Sequence, residues 1–239
     1  MIAAVLWGGL AAASLLIGFY LATRRPSQRA TGLIMGIGAG ALIAAIAYEL
    51  VPESLLGGWG MGLAFGLGAV AFFLGDWVVD RRGGEDRKDI AGSAETGSGA
   101  AIFIGTLLDN VPESIILGMS LALGGAINLA FLVAVFISDL PEGSAGSINL
   151  EAAGYPRQKV FGMWAALVAV SAACAGLGYL LVGRMPGADG RIAQAFAAGA
   201  MLTMLADAMM PEAFEHGGKM VGLFTALGFL MAALLSVAA

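Results

Sequence analysis

Two short phrases hold most of the chemistry this sequence can do. Asp109-Asn110-Val111-Pro112-Glu113-Ser114 and Ser138-Asp139-Leu140-Pro141-Glu142-Gly143 place four carboxylates inside long apolar stretches. At bilayer depth each carboxylate costs at least about 2–3 kcal/mol unless it faces a cavity, a partner or an ion. On a helix, Asp109 and Glu113 stand four residues apart and Asn110 and Glu113 three apart, so the three share a face. Ser138, Asp139 and Glu142 repeat that geometry on the next helix. Pro112 and Pro141 each lack an amide donor, which frees the carbonyls four residues back, at Leu108 and Ile137. Two such helices facing each other present a cup of oxygens carrying several negative charges, and a divalent cation requires that kind of donor set. The candidate metal ligands are therefore Asp109, Asn110, Glu113, Ser138, Asp139 and Glu142. A plainer alternative is a buried polar network that ties the two helices together. One or two polar residues suffice for such a tie, whereas here a carboxylate pair recurs on each helix.

The elements that must position these residues are membrane spans. Of 239 residues, 59% are hydrophobic and 12% charged, and the mean hydropathy is +0.87, which together describe an integral membrane protein. Apolar windows of about 20 residues fall at 2–22, 31–52, 58–80, 100–122, 126–148, 159–182, 190–211 and 219–238. The expectation is an all-α, eight-helix transmembrane bundle forming a single domain over 1–239, with a polar linker at about 81–98. Arg24, Arg25, Arg29, Arg81, Arg82, Arg87, Lys88, Arg157, Lys159 and Lys219 fall on one side of such a bundle, and Arg184 and Arg191 on the other. The positive-inside rule makes the first side cytoplasmic and puts both termini outside. Residues 1–22 carry no charge and precede Arg24 and Arg25, which reads as a retained first span. The 37 glycines, some at four-residue spacing as in Gly32, Gly36 and Gly40, predict close helix packing. With Cys174 alone, an internal disulfide and a cysteine metal cage are excluded. No basic footprint for nucleic acid is present.

A Pro-Glu pair recurs four times, at Pro52-Glu53, Pro112-Glu113, Pro141-Glu142 and Pro211-Glu212, in a chain with seven prolines. The outer copies end spans two and seven, which run in opposite directions. That is the pattern of inverted repeats, spans one to three against six to eight, in a 3+2+3 arrangement around the two site helices. Glu49 and Asp207 lie about a turn deeper than these copies and are candidate pathway residues, as are Glu53 and Glu212. Pro-Glu near a span end can also serve simply to stop or start a helix. His216, the sole histidine, adjoins Glu215 and follows Glu212 by four residues. It reads either as a transient metal stop or as a solvated loop histidine. Met201, Met204, Met209 and Met210 read as packing.

Eight spans, a cytoplasmic linker after the third and the paired Asn-x-Pro-Glu and Asp-x-Pro-Glu phrases resemble the ZIP (Zrt/Irt-like protein) family of divalent metal transporters. The likeness spans the whole chain in topology and is tightest in spans four and five. There the family typically reads His-Asn-x-Pro-Glu-Gly and His-x-x-Pro-Glu-Gly and lines a metal site midway across the membrane. Asn110, Glu113, Asp139 and Glu142 match that pattern. Asp109 and Ser138 stand where the family has histidine, Ser114 replaces a glycine, and the linker lacks histidines. The resemblance implies transport of a divalent cation toward the cytoplasm by alternating access, in a cell (inner or plasma) membrane, and homodimerisation. It implies no enzymatic activity and no prosthetic group, the metal being cargo. All-oxygen ligation favours Mn²⁺ or Fe²⁺, while Zn²⁺ and Cd²⁺ can still bind. Two other classes remain as alternatives. A proton-linked carrier of another substrate would use the acids only as relays, and no intramembrane Arg or Lys supports an organic-substrate cleft. An intramembrane aspartyl protease would pair Asp109 with Asp139, but its Gly-x-Gly-Asp and Tyr-Asp phrases are absent.

Overall fold

The computed structural model describes residues 1–51, 58–84, 99–124, 127–184 and 190–238, which are almost wholly helical, with no strand among them. In chain order the α-helices are α1 (Ile2–Ala22), α2 (Gln28–Ala45), α3 (Trp59–Val79), α4 (Gly99–Gly124), α5 (Leu129–Ala152), α6 (Arg157–Arg184), α7 (Arg191–Met204), α8 (Met210–Gly217) and α9 (Val221–Ala238). Seven helical segments are long and apolar enough to cross a membrane, the last being a run of 47 residues from Arg191 to Val237. Their outward faces carry large apolar side chains such as Trp59, Leu63, Leu223 and Leu234. Such a surface suits lipid and is foreign to water.

Local signals account for the helix starts. Ser27 caps α2 by accepting from the Ala30 amide at 3.2 Å, and Asn128 caps α5 through Oδ1, which accepts from the Phe131 amide at 2.9 Å. The Asn128 cap delays the fifth span to residue 129, later than the apolar window at 126–148. Pro112 and Pro141 lie inside unbroken helices.

Pro211 behaves differently from its sequence reading. It does not end the seventh span. A π-turn over Leu205–Met209 precedes it, with the Met210 amide bonded to the Leu205 carbonyl five residues back, and helix continues to Gly217. A matching π-turn over Ile46–Leu50 precedes Pro52, with the Val51 amide bonded to the Ile46 carbonyl. Both turns end two residues before a proline. Proline offers no N–H, and its ring presses on the carbonyl four residues back; at Pro211 one wider turn relieves that crowding without a break. The chain does turn sharply at Gly218, where φ is +64°, a conformation with little steric cost only for glycine.

Glycines set the helix pairs. A Cβ on Gly18 would strike the Leu140 carbonyl oxygen and one on Gly143 the Leu15 carbonyl oxygen, joining α1 to α5. Gly118 against Ala175 and Gly178 against Ile115 join α4 to α6 in the same way. Gly40 against Thr225 and Gly228 against Ile37 join α2 to α9, and Gly68 against Phe196 and Gly199 against Phe65 join α3 to α7. In all four pairs the carbonyl met lies three residues before the partner glycine. Backbones meet directly at each crossing, the geometry small residues permit in lipid. Met201, Met204 and Met209 are buried in the core among α2, α4, α5 and α7, as packing residues. A second cluster, including Leu15, Ile102, Leu150 and Trp164, joins α1, α4, α5 and α6. Helices α4 and α5 belong to both clusters, as does α1 through Ala11.

Candidate metal centre on the two central helices

Burial of the six candidate ligands is nearly complete: Asp109, Asn110, Ser138 and Asp139 are each 1% exposed, Glu142 2% and Glu113 3%. They stand on α4 and α5, which contact each other over a narrower zone than α4 makes with α6 or α5 with α1. The central position of α5 follows from its small residues. Gly143 admits α1, and Gly38 of α2 sits so close that a Cβ there would lie 2.8 Å from Ser138 Cα. One turn beyond Glu142, Trp164 Nε1 donates to Ser147 Oγ at 2.8 Å, and that hydroxyl donates to the Gly143 carbonyl at 2.5 Å. This chain clamps α6 onto α5 just below the carboxylates.

The two neutral candidates each donate a hydrogen bond back to their own helix. Asn110 Nδ2 donates to the Thr106 carbonyl at 3.2 Å, and Ser138 Oγ donates to the Val135 carbonyl at 2.8 Å. Each spends a donor on its own helix. Ser138 is left with only its hydroxyl lone pairs to offer, and Asn110 with its amide oxygen and one further N–H. Both oxygens can serve a cation as ligands.

The pathway candidates divide. Glu49, half-buried in the π-turn that follows α2, accepts short hydrogen bonds from Asn128 Nδ2 and Ser236 Oγ, one on each carboxylate oxygen. It therefore ties together the end of α2, the start of α5 and the end of α9. Asp207 occupies the other π-turn one residue further from its proline than Glu49, and it is exposed. Glu212 and His216 lie in α8, with His216 Nδ1 2.9 Å from Glu212 Oε1 and both side chains largely covered. His216 is thus a helical and mostly buried residue, not a loop one. Glu53 and most of the linker at 81–98 lie outside the described residues.

Sequence reasoning overlooked Asn128, Ser236 and Gln194. Asn128 was detectable as an N-cap residue just ahead of an apolar run. Gln194, 2% exposed in α7, was detectable as a lone amide inside an apolar window. Nothing in the sequence marks Ser236 as a partner of Glu49. No family model matches this chain, and no curated protein matches it either.

Proposed function

We propose that this protein is a membrane carrier of divalent metal cations, with the carboxylates of α4 and α5 as its central site. The observation that carries the reading is the burial of Asp109, Glu113, Asp139 and Glu142 on two contacting apolar helices, beside the buried amide of Asn110 and hydroxyl of Ser138. Four acids in a low-dielectric interior demand compensation, and a mobile dication provides it in a form that can leave again. Carboxylate, amide and hydroxyl oxygens suit Mn²⁺ and Fe²⁺, with Zn²⁺ and Cd²⁺ as competitors. The likeness to the ZIP family supports the same class of cargo, movement toward the cytoplasm and a homodimer in the cell membrane.

The transport cycle we propose rests on an eight-span, 3+2+3 inverted repeat with both termini outside. As one helix, residues 191–237 would extend about 70 Å, more than twice an apolar core of about 30 Å, so a bilayer divides them at Gly218. Exchanging α1, α2 and α3 with α6, α7 and α9, and α4 with α5, maps the α1–α5 pair onto α6–α4 and the α2–α9 pair onto α7–α3. The matched glycine crossings and the matched π-turns support that symmetry. In an inverted repeat the two halves exchange conformations, which opens the central site to one side at a time. In that topology Glu49 belongs to the outer approach, and Asp207, Glu212 and His216 to the inner one.

Purified protein in liposomes loaded with a divalent-metal indicator tests the reading. Uptake of Mn²⁺, Zn²⁺ or Cd²⁺ is expected, together with its loss in Glu113→Gln and Glu142→Gln. Uptake unaffected by both substitutions, or absent for every ion, would refute the proposal.

A further inference from the structure

A second group of metal-ligating side chains lies outside the central site. Glu212, Glu215 and His216 offer two carboxylates and an imidazole whose ligand atoms all lie within 4.8 Å of one another. One nitrogen and two carboxylate donors form a mixed set that suits a borderline transition metal, with the protein charge of −2 balanced by a dication. From the geometry of this trio we infer a separate divalent-cation site, selective for Zn²⁺-like ions, at the end of α8.

Helix geometry brings the three together. Residues 212, 215 and 216 are related by spacings of three and four, so they share one face. Glu215 and His216 stand in the last turn of α8, which ends at Gly217 and whose carbonyl dipoles favour positive charge, while Glu212 lies one turn earlier, in the first turn. Glu212 and His216 side chains retain only 15% and 11% exposure, and Glu215 is the exposed member. Two ligands are thus held in place while one side stays open for an ion to enter. His216 Nδ1 stands 2.9 Å from Glu212 Oε1, a spacing at which both atoms can ligate one ion, the metal replacing the proton between them. Nδ1 is then the ligating nitrogen and Nε2 carries the proton.

Its place in the fold separates it from the central site. Gly32 of α2 packs against Ala213 and Gly217 of α8, whereas Gly38 packs against Ser138. Six residues of helix separate those levels, about 9 Å along α2. Glu49 lies seventeen residues beyond Gly32, at the opposite end of the same segment, about 26 Å away. An ion leaving the central site toward the α8 end would meet a histidine-containing site within about 10 Å of axial travel. Only that last role rests on the proposed transport; binding at the trio stands by itself.

Because His216 is the sole histidine, one imidazole signal reports the site without assignment. The protein is labelled with ¹⁵N-histidine, carries no polyhistidine tag, and is titrated with Zn²⁺ in lipid nanodiscs. Running the titration in the Glu113→Gln/Glu142→Gln protein keeps failure of the central site from obscuring the result. A saturable shift at Nδ1 is expected, and Glu212→Gln or Glu215→Gln should each raise the Zn²⁺ concentration required by about tenfold or more. The His216 resonance itself reports whether each variant keeps the native fold in the absence of metal. An imidazole signal indifferent to Zn²⁺ would overturn the inference, leaving a His216–Glu212 pair with no ion bound. A Zn²⁺ response left unchanged by Glu212→Gln and by Glu215→Gln would overturn it too.

Discussion

Gly38→Ala is a small substitution aimed at the packing that holds the central site. Its Cβ would stand 2.8 Å from Ser138 Cα and 3.1 Å from Ser138 N, and both atoms are backbone. Neither can rotate aside, so α2 and α5 must separate by about 0.6 Å to restore ordinary contact. Overpacking of this kind costs about 1–3 kcal/mol, which for a chain of this size lowers the melting temperature by about 2–12 °C. Displacement occurs at Ser138, next to Asp139, so divalent-cation binding should weaken along with stability. Gly66→Ala serves as the control, since a Cβ there meets nothing within 4 Å; helix propensity should make it neutral or slightly stabilising. Thermal unfolding in detergent and Cd²⁺ binding by equilibrium dialysis measure both effects. If Gly38→Ala matched Gly66→Ala in melting temperature and affinity, the close approach of α2 to the site would be refuted.

Metal affinity should fall as pH is lowered, because protons compete for the carboxylate oxygens that must ligate; dialysis with Cd²⁺ at a series of pH values checks this, and a flat profile would argue against carboxylate ligation. The Asp109→His/Ser138→His double variant should shift uptake toward Zn²⁺ and Cd²⁺ and away from Mn²⁺, because imidazole is a softer ligand than carboxylate or hydroxyl. An unchanged zinc-to-manganese uptake ratio in liposomes would remove these positions from ion choice. Asn128→Ser should keep the cap on Phe131 but lose the reach to Glu49, whereas Asn128→Ala loses both and should cost about 1 kcal/mol more, as read by thermal unfolding. In a Cys174→Ala background, Gln28→Cys and Trp59→Cys should react with an impermeant maleimide from opposite sides of the membrane; labelling from one side only would defeat the proposed topology.

Hydropathy and helical periodicity alone determined the helical, membrane-embedded character of the chain, because lipid leaves the backbone no external partners and each span must satisfy its own hydrogen bonds locally. The same local rule placed Asp109, Asn110 and Glu113 on one face and Ser138, Asp139 and Glu142 on another, and all six are buried. Tertiary structure decided what no local rule contains. Asn128 and Ser236 reach Glu49 across 79 and 187 residues of chain, and such partners become visible only once helices are paired. The pairing depends on which glycine meets which carbonyl, a matter of surface fit between helices that share no sequence signal. Pro211 likewise reads as a stop in sequence, yet the helix passes it through a π-turn. Local propensity for a break was overridden there because Met209 and Ala213, on either side of the proline, are both buried in the core, and stopping the helix would have left that surface unpacked.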